Sequence, residues 1–167
     1  MKSSSIPTAP NFEDMLKSKA WTADWHAGAP SLPISFVYDD TVIHGIPAEW
    51  SPVSRTQRID ANLLETVYEG REPASGLSVR LEWLEYLDYP VVEWTAWLTN
   101  SGSETTPLLD SILALDSDFA GAPALLQHCN GDYYSQDGYT PSTTALNEGD
   151  PLVFAPHGGA CQFGGEL

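Results

Sequence analysis

The sequence predicts an all-β chain built as an antiparallel β-sandwich. Three observations carry that expectation: strict alternation of apolar and polar residues in mid-chain, turn-forming clusters between the alternating runs, and no convincing helical period over a window of about 11 residues. A hydrophobic fraction of 42% suffices for a core, and 167 residues is the length of one domain. Residues 1–20 read as a polar N-terminal arm and residues 21–167 as a single sandwich domain.

In chain order, FEDMLKSKAW (12–21) has the make-up of one or two helical turns. LPISFVYDD (32–40) is a short strand opened by Pro33 and closed by Asp39-Asp40. Residues 51–70 read as two strands around the polar Asp60-Ala61-Asn62. In LSVRLEW, Leu77, Val79, Leu81 and Trp83 alternate with Ser78, Arg80 and Glu82, the period of a strand with one buried face. The phase then flips to Leu84 and Tyr86, which predicts a β-bulge near Trp83-Leu84. After a turn at Asp88-Tyr89-Pro90, Val92, Trp94, Ala96 and Leu98 share one face, and Glu93, Thr95, Trp97 and Thr99 the other. A turn cluster at 100–106 leads to a third strand, with Leu109, Leu113, Leu115 and Phe119 inward and Asp110, Asp116 and Asp118 outward. These three strands are expected to form a meander, with Leu77, Val79, Leu81, Val92, Trp94, Ala96, Leu98, Leu109, Leu113 and Leu115 facing one interior. Residues 120–129 are one more short strand, and 140–159 are turn-rich with an apolar run at Leu152–Ala155.

Charge narrows the choice of partners. With 23 acidic against 7 basic side chains the net charge is −16, which repels a phosphate backbone and an anionic membrane surface. Neither nucleic acid nor membrane is therefore an expected partner, while a neutral carbohydrate is not penalised. The plain reading of the charge is solubility. No run approaches the ~18 apolar residues of a membrane span. MKSSSIPTAPNFEDM lacks an apolar core of signal-peptide length, so a cytoplasmic chain with free thiols is expected. Cys129 and Cys161 are too few for a disulfide scaffold, and their separation does not decide whether they pair.

Chemistry-bearing residues are sparse. The four His, at 26, 44, 128 and 157, show no metal-ligand spacing, and Asp132 and Asp137 fit no EF-hand, so no metal or cofactor is expected. Cys129 adjoins His128, but neighbours on an extended chain point to opposite faces, which favours a half-buried Cys over a nucleophile. Sugar hydrolysis needs two carboxyl groups about 5–9 Å apart. Glu82, Glu85 and Asp88 offer no settled pair; Asp116 and Asp118 would share a face about 7 Å apart on a strand, or form a solvated acidic surface. Asp132 and Asp137 are further weak candidates.

Aromatics carry the clearer signal. Trp83 and Trp94 follow the inward alternation and read as core. Trp97 sits among Glu93, Thr95 and Thr99, an exposed ring bordered by polar groups and a candidate sugar platform. HCNGDYYSQDGY (128–139) has no period and reads as a loop. There Tyr133, Tyr134 and Tyr139 supply stacking faces, and His128, Asn130, Asp132, Gln136 and Asp137 supply hydrogen-bonding groups suited to sugar hydroxyls.

VEWTAWLTNSGSETTPLLDSILALDSDF resembles a strand–turn–strand in the amino-terminal sandwich domain of α-galactosidase-like enzymes of glycoside hydrolase family 36, through Glu93, Trp94, Thr95, Asn100, Gly102, Thr106, Pro107, Leu109, Ile112, Leu115 and Asp116. PISFVYDD followed by Trp50, the 128–146 stretch and PHGG are similar to further parts of that domain in the same order, over about residues 30–159. The resemblance implies a supersandwich-like fold that normally precedes a catalytic (β/α)₈ barrel carrying both catalytic Asp residues. Against such relatives the chain stops before the barrel and before the sandwich is finished, so no catalytic residue is assigned. The resemblance also implies that Trp50 and the 128–139 loop lie at the rim of a sugar pocket.

The expected function is that of a non-catalytic, carbohydrate-associated domain. The alternatives are a small stand-alone glycan-active enzyme using surface carboxylates, and a structural fragment without a ligand. A sandwich that ends early leaves an open edge and an uncovered Trp-rich face, with no Lys or Arg beyond Arg80 to guard them, and a two-fold homodimer would cover both. Two strongly acidic chains repel, so dimerisation should strengthen with salt. Sedimentation velocity at low and moderate salt should show the dimer gaining at the higher salt; single-chain mass under both conditions would exclude it.

Overall fold

The computed structural model describes residues 11–118, 124–129 and 138–146. Two compact units are present, Met1–Asp118 and Phe119–Leu167, each considered by itself. The first holds a helix, α1 (Phe12–Ala23), and seven strands: β1 (Ser35–Tyr38), β2 (Thr41–His44), β3 (Val53–Arg58), β4 (Leu63–Arg71), β5 (Leu77–Tyr86), β6 (Val92–Asn100) and β7 (Leu109–Leu113). The second holds the antiparallel hairpin β8 (Ala124–His128) and β9 (Ser142–Leu146). The expected apolar run at Leu152–Ala155 and Phe119 lie outside the described residues.

All the pairings are antiparallel, in the orders β2-β1-β7 and β3-β4-β5-β6. The fold is all-β and sandwich-like, as the alternation predicts. Local chemistry explains the connections. Asp39 and Asp40 both take positive φ, 50° and 56°, as the two-residue hairpin between β1 and β2 requires, and Asp tolerates that region better than most residues. Between β4 and β5 the Glu72 carboxylate accepts from the Ala74 and Ser75 amides at 2.9 and 2.5 Å and from the Ser75 hydroxyl at 2.6 Å. These bonds, the Ser75 hydroxyl's foremost, hold its carboxyl below the usual carboxylate range. Gly76 closes that turn at φ +81°, where a Cβ would lie 2.8 Å from the Gly102 backbone.

The core lies between the two sheets of this unit. Leu77, Val79, Leu81 and Trp83 of β5 are buried against Phe36 and Tyr38 of β1, with Leu32, Ile34, Ile46, Trp50 and Tyr68 completing the cluster. Val92, Trp94, Ala96, Leu98 and Leu109 pack on it half-buried, in the predicted phase. An aromatic group anchors one end. Trp83 and Trp94, directly opposite on β5 and β6, stack at 5.1 Å. Trp25 meets both edge-on at 5.9 and 5.8 Å, and His26 meets Trp83 at 4.5 Å. Indole N–H groups tie this group to the chain after β7: Trp25 Nε1 donates to Ser117 Oγ and Trp94 Nε1 to the Ala114 carbonyl, each at 2.8 Å.

Four expectations are corrected. First, Phe12–Ala23 is one helix of 12 residues, not one or two turns; Asn11 caps it by accepting from the Glu13 amide at 3.0 Å, and Glu13 and Asp14 suit its positive end. Second, no bulge interrupts β5, whose register with β4 and β6 is continuous through Trp83-Leu84; Leu84 and Tyr86 simply lie on the opposite face. Third, β7 does not extend the meander but crosses to β1, leaving β6 at the end of its sheet among the described residues. Fourth, the register shifts within β7, where Ser111 has φ 47°: Asp110 pairs with Val37, yet Leu113 pairs with Ser35. Beyond that extra residue Ile112, Leu113 and Leu115 are all exposed, so Leu113 and Leu115 are not buried as expected.

Trp83→Ala should cost about 3–5 kcal/mol and Trp94→Ala, half-buried, nearer the lower figure, by chemical denaturation. His26 generates a pH dependence. Its Nδ1 lies 3.0 Å from the Tyr68 hydroxyl, and burial pushes its pKa down, with Glu85 opposing. A depressed histidine pKa means the unfolded chain takes the proton first. The contribution is therefore whole above the ordinary value of about 6.5 and is lost as pH falls through it towards the lower folded pKa. His26→Gln should flatten that part of the stability profile between pH 7.5 and 5.5; an unchanged slope would contradict it.

Candidate functional site

Because β5 buries its odd-numbered residues, its even-numbered ones are committed to the outer face of the four-stranded sheet. Register then fixes their neighbours. Val53, Glu69, Arg80 and Trp97 lie in one row across β3, β4, β5 and β6. Beside that row run Arg55, Val67, Glu82 and Thr95, and beyond them Gln57, Glu65, Leu84 and Glu93.

Trp97 is 52% exposed at the β6 end of this row, as its position on the polar side of β6 predicts. Its cross-strand neighbour Arg80 is fixed from two sides: Nη2 lies 2.6 Å from a Glu82 oxygen and Nε 3.7 Å from a Glu69 oxygen. Such a pairing holds the guanidinium flat while leaving N–H donors and carboxylate lone pairs for a ligand. Two hollows border the row. An open groove of ≈ 580 Å³ is lined by Glu49, Trp50, Ser51, Val53, Glu69, Gly70, Arg71, Pro73 and Ser78. A smaller one of ≈ 220 Å³ is lined by Glu65, Glu82, Leu84, Glu93, Trp94 and Thr95.

Trp50 borders the groove but is only 6% exposed; its ring packs against Phe36 and Tyr38 at 6.2 and 6.1 Å and is occupied with the core. Gly70 makes room for the buried Ile46 side chain, which a Cβ at that position would overlap. Sequence reasoning singled out Trp50 and Trp97 separately. It missed Arg80, Glu69 and Arg71, whose only signal was outward parity, and Glu49, which lies in the turn before β3 and carried no signal.

The other candidates do not gather into a site among the described residues. Asp116 and Asp118 lie beyond the end of β7, not on a shared strand face, because the strand stops at Leu113. Asp116 is 3.3 Å from His44 Nδ1. Asp88 accepts from Asn62 at 3.0 Å at a turn, away from the outward row of Glu82. In the second unit His128 Nε2 lies 3.0 Å from Thr144 Oγ1 across the hairpin, and Tyr139 is 66% exposed. Cys129 is an exposed free thiol, not half-buried as expected. Asn130, Asp132, Tyr133, Tyr134, Gln136, Asp137 and Cys161 lie outside the described residues. Among the described residues no group of three or more His, Cys, Asp or Glu could hold a metal ion, and no helix is long and apolar enough to cross a membrane.

Compared with known proteins, the chain matches no family model, no curated protein and no solved structure. The site therefore rests on its own geometry.

If Trp97 serves the surface and not the core, Trp97→Ala should change stability by less than about 1 kcal/mol. Denaturation of that variant beside Trp94→Ala separates the two; a loss as large as that of Trp94→Ala would place Trp97 in the packing.

Proposed function

We propose that this chain is a non-catalytic, carbohydrate-associated β-sandwich domain, related to the amino-terminal domain of family 36 α-galactosidase-like enzymes. The observation that supports it best is Trp97, 52% exposed, beside an Arg80 held by Glu69 and Glu82. An exposed indole offers a face on which a sugar ring stacks, and a pre-formed Arg–carboxylate network offers planar donors and acceptors to hydroxyls. In the second unit, taken by itself, the exposed Tyr139 offers a separate ring that a sugar could stack on. The glycan-hydrolase reading has less support, since Asp116 is engaged by His44 and the described carboxylates suggest no nucleophile and acid.

A homodimer is part of this reading. Leu108, Ile112, Leu113 and Leu115 are exposed on and around β7, which among the described residues ends its sheet. A second copy laid along that edge would cover them. The reading also puts the chain in the cytoplasm, where Cys129 stays a thiol.

The test is a titration with galactosides and with glucans at millimolar concentration, read by tryptophan fluorescence. The expected result is a saturable change that Trp97→Ala and Arg80→Ala each remove. No response to any sugar would leave a structural role alone.

A further inference from the structure

We infer that the outer face of the four-stranded sheet takes a linear, neutral oligosaccharide of three or more units, lying across the strands, and not a single sugar. The inference rests on the carbohydrate reading above and specifies its ligand. The row Val53–Glu69–Arg80–Trp97 crosses four adjacent strands. Three strand intervals span about 14 Å, and each interval is close to the advance of one pyranose along a linear chain. One end of the row is the exposed Trp97 ring; the other end opens into the ≈ 580 Å³ groove. That volume lies in the range of ligand sites, about 300–1,000 Å³.

Charge argues for a neutral chain. The groove holds Glu49 and Glu69 against Arg71, and Arg71 is already turned to the Ser101 carbonyl at 3.3 Å. Along the rest of the face Arg80 is matched by Glu69 and Glu82, and Arg55 adds one more cation, while Glu65 and Glu93 add negative charge near Thr95, so carboxylates still outnumber guanidiniums. A uronate-bearing chain would meet repulsion there; hydroxyl groups would meet both donors and acceptors.

Calorimetric titration with two neutral series of one to six units, cello-oligosaccharides and β-1,4-galacto-oligosaccharides, tests the inference, with oligogalacturonides as the charged comparison. In the series that binds, affinity should rise at least tenfold from one unit to three, then level off by the hexamer. Glu49→Ala, an exposed change in the groove at the opposite end of the row from Trp97, should remove much of that gain. Oligogalacturonides should bind more weakly than the neutral chain of equal length. Equal affinity for one unit and six, or tighter binding of oligogalacturonides, would overturn the inference while leaving a sugar-contacting domain. No binding at any length would overturn that reading as well.

Discussion

The structure depends on the unbroken pairing of β5 with a neighbour on each side. From Ser78 to Tyr86 the strand pairs with β4, and from Leu77 to Glu85 with β6, without a bulge. A side-chain period of two then leaves no freedom: once Leu77, Val79, Leu81 and Trp83 face inward, Ser78, Arg80, Glu82 and Leu84 must face outward. Burying each of the four is worth about 1.5–3 kcal/mol. A slip of one residue would forfeit all of them, a sum comparable to the about 5–15 kcal/mol by which a domain is stable. The position of Arg80 beside Trp97 is thus a consequence of core packing.

Aromatic contacts reinforce that commitment. Trp83 is wholly buried, stacked on Trp94 and met edge-on by Trp25 and His26 from the segment after α1. The indole bonds to Ser117 and Ala114 fasten the chain beyond β7 to the same group. One cluster therefore ties the residues after the helix, the central strands and the residues after β7. Trp97, three residues beyond Trp94 and of opposite parity, takes no part in it. The same residue type serves packing in one place and remains open in the other.

What could be read from the sequence follows from the same physics. The alternation of β5 and β6 was legible because one face is buried and the other is not, and it placed Trp83, Trp94 and Trp97 in the correct phase. α1 was read as one or two turns and its full length was missed, because Phe12, Leu16 and Trp21 are exposed and no apolar stripe marks the helix. β2 is a four-residue strand whose Val42 is exposed, too short and too open for a pattern. β7 misled because the register shifts at Ser111 and Ile112, Leu113 and Leu115 are all left exposed, which their apolar character alone did not reveal. The docking of Trp25 and His26 comes from a segment without a period. The row from Val53 to Trp97 needs three registers at once, and register between strands is a tertiary property that parity alone does not supply.

The exposure of Trp97 on the face of this sheet turned away from the core is what a ligand role for that face requires; Val67 in the neighbouring row is itself covered. The most direct test of that exposure is ¹⁹F NMR of the chain labelled with 5-fluorotryptophan, each resonance assigned by a Trp→Phe substitution, with a soluble gadolinium chelate added. The Trp97 resonance should broaden strongly while that of Trp83 stays sharp. Equal broadening of the two, or protection of Trp97, would contradict the arrangement on which the site depends.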